Sequence, residues 1–172
     1  MNVLAQIFGI IGLIFLVISI QNNKKKIVLL FQIVSNMFYG LQYIVLNSLS
    51  AGMMSFISLI RCIIYYLYNR NNKIIPKNIL ILFIIIIIST LLFTYNGLFS
   101  IIPILATILY TYGTWTDNLK LFRYIAIIAA ILWIVFNFYV GAYVAFIGSI
   151  FELLSGLLAI YRFDIRKVDI NG

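Results

Sequence analysis

The chain has 172 residues, of which 65% are hydrophobic and only 9% are charged, and its formal net charge is +8. A soluble globule of this size needs more polar surface, so the composition excludes one and predicts an all-α, polytopic membrane protein. Basic residues in such a protein report its topology, and we expect no nucleic-acid partner. Without histidine and with Cys62 as the one cysteine, no metal ion, cofactor or disulfide is expected.

Seven hydrophobic stretches predict seven transmembrane helices. The first lacks the basic start and the cleavage site of a signal peptide, so we expect it to be retained. Its Ala5, Gly9 and Gly12 share one face, which predicts close packing against another helix. The predicted spans are 3–20, 27–46, 49–68, 79–95, 98–114, 121–140 and 142–163.

The second span is unusually polar for a membrane helix. Asn36, Gly40, Tyr43 and Asn47 recur at helical spacing and share one face. This face is interpreted in two ways, which the sequence leaves open. It supplies hydrogen bonds that hold the helices together, or it forms the wall of a solute path.

The third span contains Arg61 among large apolar residues. An arginine near the middle of a bilayer costs about 2.5 to 3.5 kcal/mol on insertion scales, so it needs shelter or a partner. Of the four acidic residues, Glu152 lies inside a predicted span, which is the seventh. At about 1.5 Å per residue, Arg61 and Glu152 lie about 18 and 15 Å from the same membrane face. We therefore predict that they form an intramembrane ion pair.

The later spans differ in polarity. The fourth is a run of apolar residues with isoleucine at 84–88, which predicts a helix that faces lipid. The fifth contains Pro103, which predicts a hinge or a simple bend. In the sixth, Trp133 and Asn137 are four residues apart and share a face.

The basic residues predict the orientation of the chain. With seven spans, every lysine and arginine except Arg61 falls on one side of the membrane, and the positive-inside rule makes that side cytoplasmic. The amino terminus is then outside and the carboxyl terminus inside. The residues on the basic side are Lys24, Lys25, Lys26, Arg70, Lys73, Lys77, Lys120, Arg123, Arg162, Arg166 and Lys167.

The order of loops predicts an internal duplication within a single membrane domain, 1–172. Residues 3–68 form a first triple-helix unit, 79–95 a linker helix, 98–163 a second unit and 164–172 a short cytoplasmic tail. Both units have a basic loop after their first helix and a short uncharged turn between their second and third. They would lie in the membrane as parallel repeats in a 3+1+3 arrangement.

Single residues spread over nearly the whole chain carry a resemblance. They are Gln32, Asn36, Gly52, Ser58 and Arg61 in the first half, and Arg123, Trp133, Asn137, Gly141, Glu152, Ser155 and 161–164 in the second. In this pattern the chain resembles the YgjV-type bacterial inner-membrane proteins, which implies a location in the cytoplasmic (inner) membrane of a bacterium. Its architecture is similar, more distantly, to that of the SWEET, PQ-loop and PnuC transporters. Pro103 precedes Ile104 rather than glutamine, so the PQ-loop hinge motif is absent.

Two classes of function agree with this pattern. The first is a small-solute transporter whose path lies between the two triple-helix units and is lined by Asn36, Arg61, Trp133, Asn137 and Glu152. The second is a membrane scaffold or partner subunit in which the Arg61 and Glu152 pair fixes the docking of the helices. An enzyme is not expected, because the spans bring together no set of acid, base and nucleophile. The expected partners are the lipid bilayer, a small-molecule solute and a second copy of the chain.

Overall fold

A computed structural model of the chain describes residues 3–46, 49–95, 97–139 and 143–166. Every regular element in these ranges is helical, which confirms the prediction of an all-α protein. The α-helices are α1 (Val3–Ile20), α2 (Lys25–Val45), α3 (Leu49–Arg70), α4 (Lys77–Ser89), α5 (Leu91–Thr94), α6 (Ile101–Trp115), α7 (Leu119–Tyr139) and α8 (Tyr143–Ala159). A 3₁₀ turn, Leu98–Ser100, precedes α6, and a π-helical segment, Ile160–Ile165, continues α8.

Seven crossing segments are present in the described part of the chain. Six are long and apolar enough to span a bilayer: Val3–Ile20, Lys25–Val45, Ala51–Arg70, Lys77–Thr94, Leu119–Tyr139 and Ala145–Ile165. The remaining segment, α6, has 15 residues and a length of about 22 Å. The 3₁₀ turn before it adds about 6 Å, which brings the segment close to the bilayer core of about 30 Å. The protein is therefore a polytopic membrane protein.

Several helices extend beyond the predicted apolar spans. Helix α2 begins at Lys25 instead of residue 27, and α3 continues to Arg70 instead of ending at residue 68. A helix does not end where the hydrocarbon does, because long basic side chains reach the headgroups from a helical backbone. The last segment continues through the π-helix to Ile165, so Asp164 belongs to a helix and not to a tail.

Six helices form a closed ring. In the order α1, α2, α3, α6, α7 and α8, each helix packs on the next, and α8 packs on α1. Helix α4 lies outside this ring against α6 and α3. It buries Phe83 and Ile87 and exposes most of its other isoleucines, as predicted for a helix that faces lipid.

Small residues allow α1 and α2 to approach closely. Ala5, Gly9 and Gly12 are buried on one face of α1, which confirms the predicted packing face. The Ser35 hydroxyl donates a hydrogen bond of 2.8 Å to the Gly12 carbonyl oxygen. A Cβ atom on Gly12 would lie 3.3 Å from the Ser35 carbonyl oxygen, so a larger residue there would push the helices apart.

Helix α8 is polar toward the ring and apolar toward the outside. The exposed residues of one face are Ile147, Phe151, Leu154 and Leu158. The buried residues of the opposite face are Gly148, Ser149, Glu152 and Ser155. Because the surrounding bilayer is apolar, polar side chains of a membrane protein turn inward, where other helices or a cavity accommodate them.

Candidate functional site

The helical ring contains a cavity of about 130 Å³. Each of its six helices contributes to the wall. All five residues predicted to line a solute path lie in this wall: Asn36, Arg61, Trp133, Asn137 and Glu152. The fold therefore brings together side chains from α2, α3, α7 and α8 that are far apart in the sequence.

The cavity lies toward one end of the ring. The loops 21–24, 71–76 and 116–118 meet at the opposite end, which we call the basic end because most of the lysines lie there. On α2 the wall starts at Gln32, about two helical turns from the basic end. At the far end it includes Asn137, in the last turn of α7, and Ala145, in the first turn of α8.

Arg61 is 2% exposed and lies in the cavity wall. Its Nη1 donates to the Thr111 hydroxyl at 2.6 Å, and its Nη2 donates to the Cys62 sulfur at 3.7 Å. Its Nε is buried and has no hydrogen-bond partner. The guanidinium group is therefore only partly satisfied by the protein.

Glu152 is 6% exposed and lies in the same wall. One of its carboxylate oxygens accepts a hydrogen bond from the Tyr110 hydroxyl. The predicted ion pair between Arg61 and Glu152 is absent: within the described ranges, neither residue takes part in an ion pair. The physical reason is α6: its consecutive residues Tyr110 and Thr111 bind the carboxylate and the guanidinium separately.

The sequence contains a signal for this role of α6, although the predicted site omitted it. Thr107, Tyr110, Thr111 and Thr114 recur at intervals of three and four residues, so their hydroxyls share one face. Thr107 and Tyr110 line the cavity, and Thr111 holds Arg61. A hydroxyl-bearing face in a membrane helix therefore predicts a contact with the polar interior of the ring.

Amide and thiol groups surround Arg61 on the α2 side. The Cys62 thiol donates to Gln32 Oε1 at 3.5 Å, and Asn36 Nδ2 donates to the Cys62 sulfur at 3.9 Å. Gln32 Nε2 is buried without a partner, as is Gln42 Oε1 further along α2. Together with Arg61 Nε, these atoms are three unsatisfied polar groups on residues of the cavity wall. Each such group costs about 1 to 3 kcal/mol unless something binds it.

Trp133 and Asn137 form the α7 part of the wall. Asn137 Nδ2 donates to the Ser149 hydroxyl on α8 at 3.1 Å, so its amide is partly used in holding the two helices together. The Trp133 ring contacts Phe136 edge to face, with 5.9 Å between ring centroids. Asn137 therefore does two things: it links α7 to α8 by a hydrogen bond, and it lines the cavity.

Pro103 is buried in the first turn of α6 and not in the middle of a span. The first amide groups of a helix have no partner inside it, so proline is tolerated there without a kink. Pro103 therefore does not interrupt the middle of a helix, which was the reason to predict a hinge there. The hinge stays a prediction.

A second buried charge cluster lies at the basic end. Arg123 Nη1 forms an ion pair of 2.9 Å with Asp164 Oδ1, and Arg123 Nη2 donates to Asn23 Oδ1 at 2.8 Å. The guanidinium carbon also lies 4.6 Å from the centroid of the Phe163 ring. From the sequence, Arg123 was a marker of topology and Asp164 the start of a tail, and their spacing does not predict the pair.

Further polar contacts tie the loop between α1 and α2, and the first residue of α2, to the other side of the ring. Gln21 Nε2 donates to the backbone oxygen and the hydroxyl of Ser155, at 2.7 and 3.0 Å. Lys25 Nζ donates to the Thr116 carbonyl oxygen at 2.8 Å and pairs with Asp117 at 2.6 Å. The basic end of the ring is thus cross-linked by hydrogen bonds and ion pairs.

The comparison with known families agrees with the membrane-spanning fold. A family model described as "Imp-YgjV: Bacterial inner membrane protein" matches residues 3–167. The chain belongs to this family. The match confirms the resemblance stated from the sequence and places this YgjV-family protein in the inner membrane of a bacterium. No curated protein and no solved structure matches the chain.

The cavity of this YgjV-family protein is lined by groups that can form hydrogen bonds. Its wall offers hydrogen-bond donors, hydrogen-bond acceptors, aromatic rings and two ionisable groups, Arg61 and Glu152. The family description names no substrate and no reaction. Such groups can hold a small polar molecule by noncovalent contacts.

Proposed function

We propose that this YgjV-family protein transports a small polar solute, which binds in the cavity of the helical ring. One observation carries the proposal: a cavity lined by polar side chains and three unsatisfied buried polar atoms lies inside a membrane bundle. Helices that only supported one another would satisfy these groups or replace them with apolar ones, because unsatisfied polar groups are costly in a bilayer.

The size of the cavity restricts the solute. Its volume of about 130 Å³ is well below the roughly 300 Å³ at which pockets for drug-sized ligands begin. A small metabolite fits this space, whereas a peptide or a lipid chain does not.

The packing of the ring supports two equivalent units. Helices α1, α2 and α3 pack in sequence, as do α6, α7 and α8, and the two sets meet where α1 contacts α8 and α3 contacts α6. A two-fold axis along the membrane normal that exchanges α1 with α6 and α3 with α8 exchanges these two contacts. This relation is the one expected of parallel repeats joined by a linker helix, the role we assign to α4.

The closed basic end supports transport by alternating access. The proposed two-fold places Asn23 and Gln21 in one unit and their partners Arg123 and Ser155 in the other. Since basic loops are retained in the cytoplasm, this arrangement is a state closed to the cytoplasm. Rocking of one unit against the other would break these hydrogen bonds, which water can replace, and open the cavity inward.

A scaffold or partner subunit is the second candidate function. The observation that favours it is the ion pair between Lys25 in the first unit and Asp117 in the second, which together with the hydrogen bond from Arg123 to Asn23 would hold the two units together permanently. The two candidates differ in whether the basic end opens, and a flux measurement separates them.

The test is efflux from proteoliposomes. The purified protein is reconstituted into liposomes loaded with a deproteinised bacterial metabolite extract, and mass spectrometry identifies any solute that leaves faster than from protein-free liposomes. We expect one class of small metabolite to leave, and Asn137→Ala to change its rate. Ser89→Ala, on the exposed surface of α4 outside the ring, is the control and should leave the rate unchanged. Retention of every solute at the protein-free rate would reject transport and favour the scaffold.

A further inference from the structure

Two ionisable groups of opposite sign face one cavity without touching each other. Arg61 and Glu152 are 2% and 6% exposed, and both lie in the cavity wall. Each is held by one hydroxyl of α6, Thr111 for the guanidinium and Tyr110 for the carboxylate. No acidic or basic residue in the described ranges pairs with either of them. The helical ring therefore leaves a buried guanidinium group and a buried carboxyl group, which are of opposite charge when ionised, without counter-charges.

We propose that the cavity binds a small zwitterion of the amino-acid class, with its carboxylate at Arg61 and its ammonium group at Glu152. The inference rests on the proposed transport function and names its substrate class. Taking a charge out of water is costly unless it is paired. A zwitterion gives each wall charge a partner and adds no net charge to the membrane interior.

The Arg61 side of the cavity is a cluster of unused donors. Arg61 Nε and Gln32 Nε2 are both buried without partners. Cys62 links the two residues, since its sulfur accepts from Arg61 and its thiol donates to the Gln32 oxygen. The Nε edge of a guanidinium group presents N–H donors in a fork that matches the two oxygens of a carboxylate. Two buried donors without an acceptor, one of them on a guanidinium group, favour an anionic group.

The Glu152 side offers acceptors. One carboxylate oxygen is bound by Tyr110, and the other accepts no hydrogen bond from the described residues. Gln42 Oε1 is a further acceptor without a partner on the same cavity wall. Aromatic rings in the wall, among them Trp133, add a surface that attracts cations. Acceptors and aromatic faces together specify a cationic donor such as an ammonium group.

Solutes of other charge fit the wall less well. A sugar would satisfy the unused donors and acceptors but leave both wall charges without counter-ions. A simple carboxylate would pair with Arg61 and leave Glu152 alone, unless Glu152 took up a proton. The zwitterion satisfies both ends at once, which is why we prefer it.

The binding test uses the full-length protein in nanodiscs. Each of the twenty standard L-amino acids is titrated while the melting temperature is recorded, and each one that binds is compared with its deaminated and decarboxylated analogues. We expect at least one amino acid to stabilise the protein. Loss of either charged group should weaken binding by about tenfold or more, because hydrogen bonds to charged groups are the strong ones. No binding by any of the twenty, or equal binding of an analogue, would overturn the proposal.

Substitutions assign the two ends of the ligand. Arg61→Gln should abolish the preference for the carboxylate, and Glu152→Gln should make the amino acid and its deaminated analogue bind equally. If Arg61→Gln does not fold, Arg61→Lys keeps the charge without the fork, and binding should be weaker but present. The matched control is Arg70→Gln, an exposed arginine in the last turn of the same helix, which should bind as the unchanged protein does. A loss of binding in this control equal to that of Arg61→Gln would count against the site.

Binding and flux together separate this inference from the proposed function. The amino acid that binds is offered to the proteoliposomes on both sides, and counterflow of a labelled copy is measured. Binding without counterflow would support the zwitterion site and reject transport. Efflux of a metabolite that lacks either charge would support transport and overturn the zwitterion.

Discussion

Arg123 and Asp164 form a buried ion pair at the basic end of the helical ring, with 2.9 Å between Nη1 and Oδ1. Their side chains are 3% and 8% exposed, and Asn23 holds the second terminal nitrogen of the guanidinium. The π-helical segment after α8 carries Asp164 to this position, since the chain there is still helical and packs on α7. Arg61, which lies near the middle of the third predicted span, has no such partner among the described acidic residues.

The first prediction concerns the stability of this ion pair. Asp164→Ala should lower the free energy of unfolding by about 3 to 5 kcal/mol, because it leaves the Arg123 charge buried without its partner. A second ion pair supplies the control: Asp117, whose side chain is 74% exposed, should cost at most about 1 kcal/mol when made Ala, because its partner Lys25 keeps its hydrogen bonds to the carbonyl oxygens of Trp115 and Thr116. Unfolding in mixed micelles with increasing SDS measures both. Equal losses for the two variants would contradict the assignment of a buried pair.

The second prediction concerns coupling to Arg61. Thr111→Val should remove the hydroxyl that accepts from Arg61 Nη1 and cost about 1 to 3 kcal/mol, while Thr111→Ser should cost less. In double-mutant cycles on the unfolding free energy, Arg61→Gln should couple to Thr111→Val. Its coupling with Glu152→Gln should be weaker, because no hydrogen bond or ion pair joins the two groups directly. Strong coupling between Arg61 and Glu152 in the absence of solute would restore the direct ion pair.

The third prediction concerns topology. In a Cys62→Ser background, a cysteine at exposed Gly97 should react with an impermeant thiol reagent applied to intact cells, and one at exposed Asn71 should not. The reason is that basic loops stay in the cytoplasm, and Asn71 lies beside Arg70 and Lys73. After the membrane is permeabilised, both positions should react. Labelling of Asn71→Cys alone in intact cells would invert the orientation.

The fourth prediction separates the cavity wall from the packing surfaces. Asn36→Ala and Trp133→Ala should change solute flux and leave folded protein in the membrane, because both residues line the cavity. Gly12→Leu should reduce the amount of folded protein, since a Cβ atom there already lies 3.3 Å from the Ser35 carbonyl oxygen. Membrane yield and gel-filtration profile are measured beside flux. Equal loss of folded protein in all three variants would favour a scaffold without a solute path.

The sequence by itself determined the class and the spans of this protein. Runs of apolar residues as long as a bilayer is thick fix a helix whatever its neighbours are, because lipid offers the backbone no other hydrogen-bond partners. The small face of α1 and the lipid-facing character of α4 were predictable for a similar reason. Each depends on a property that repeats along one helix, such as Ala5, Gly9 and Gly12 on one face.

The tertiary structure alone decided which charges meet. Depth along two helices placed Arg61 and Glu152 near one level, and both do line one cavity. The depth of a residue in the membrane does not give the rotation of its helix about the helix axis, nor which helices lie next to it. Here α6 supplies the hydroxyls that hold the two groups separately. Likewise, the π-helical segment is invisible to a periodicity of 3.6, yet it carries Asp164 to Arg123. Ion pairs act over a few ångströms, so they depend on packing that local patterns do not encode.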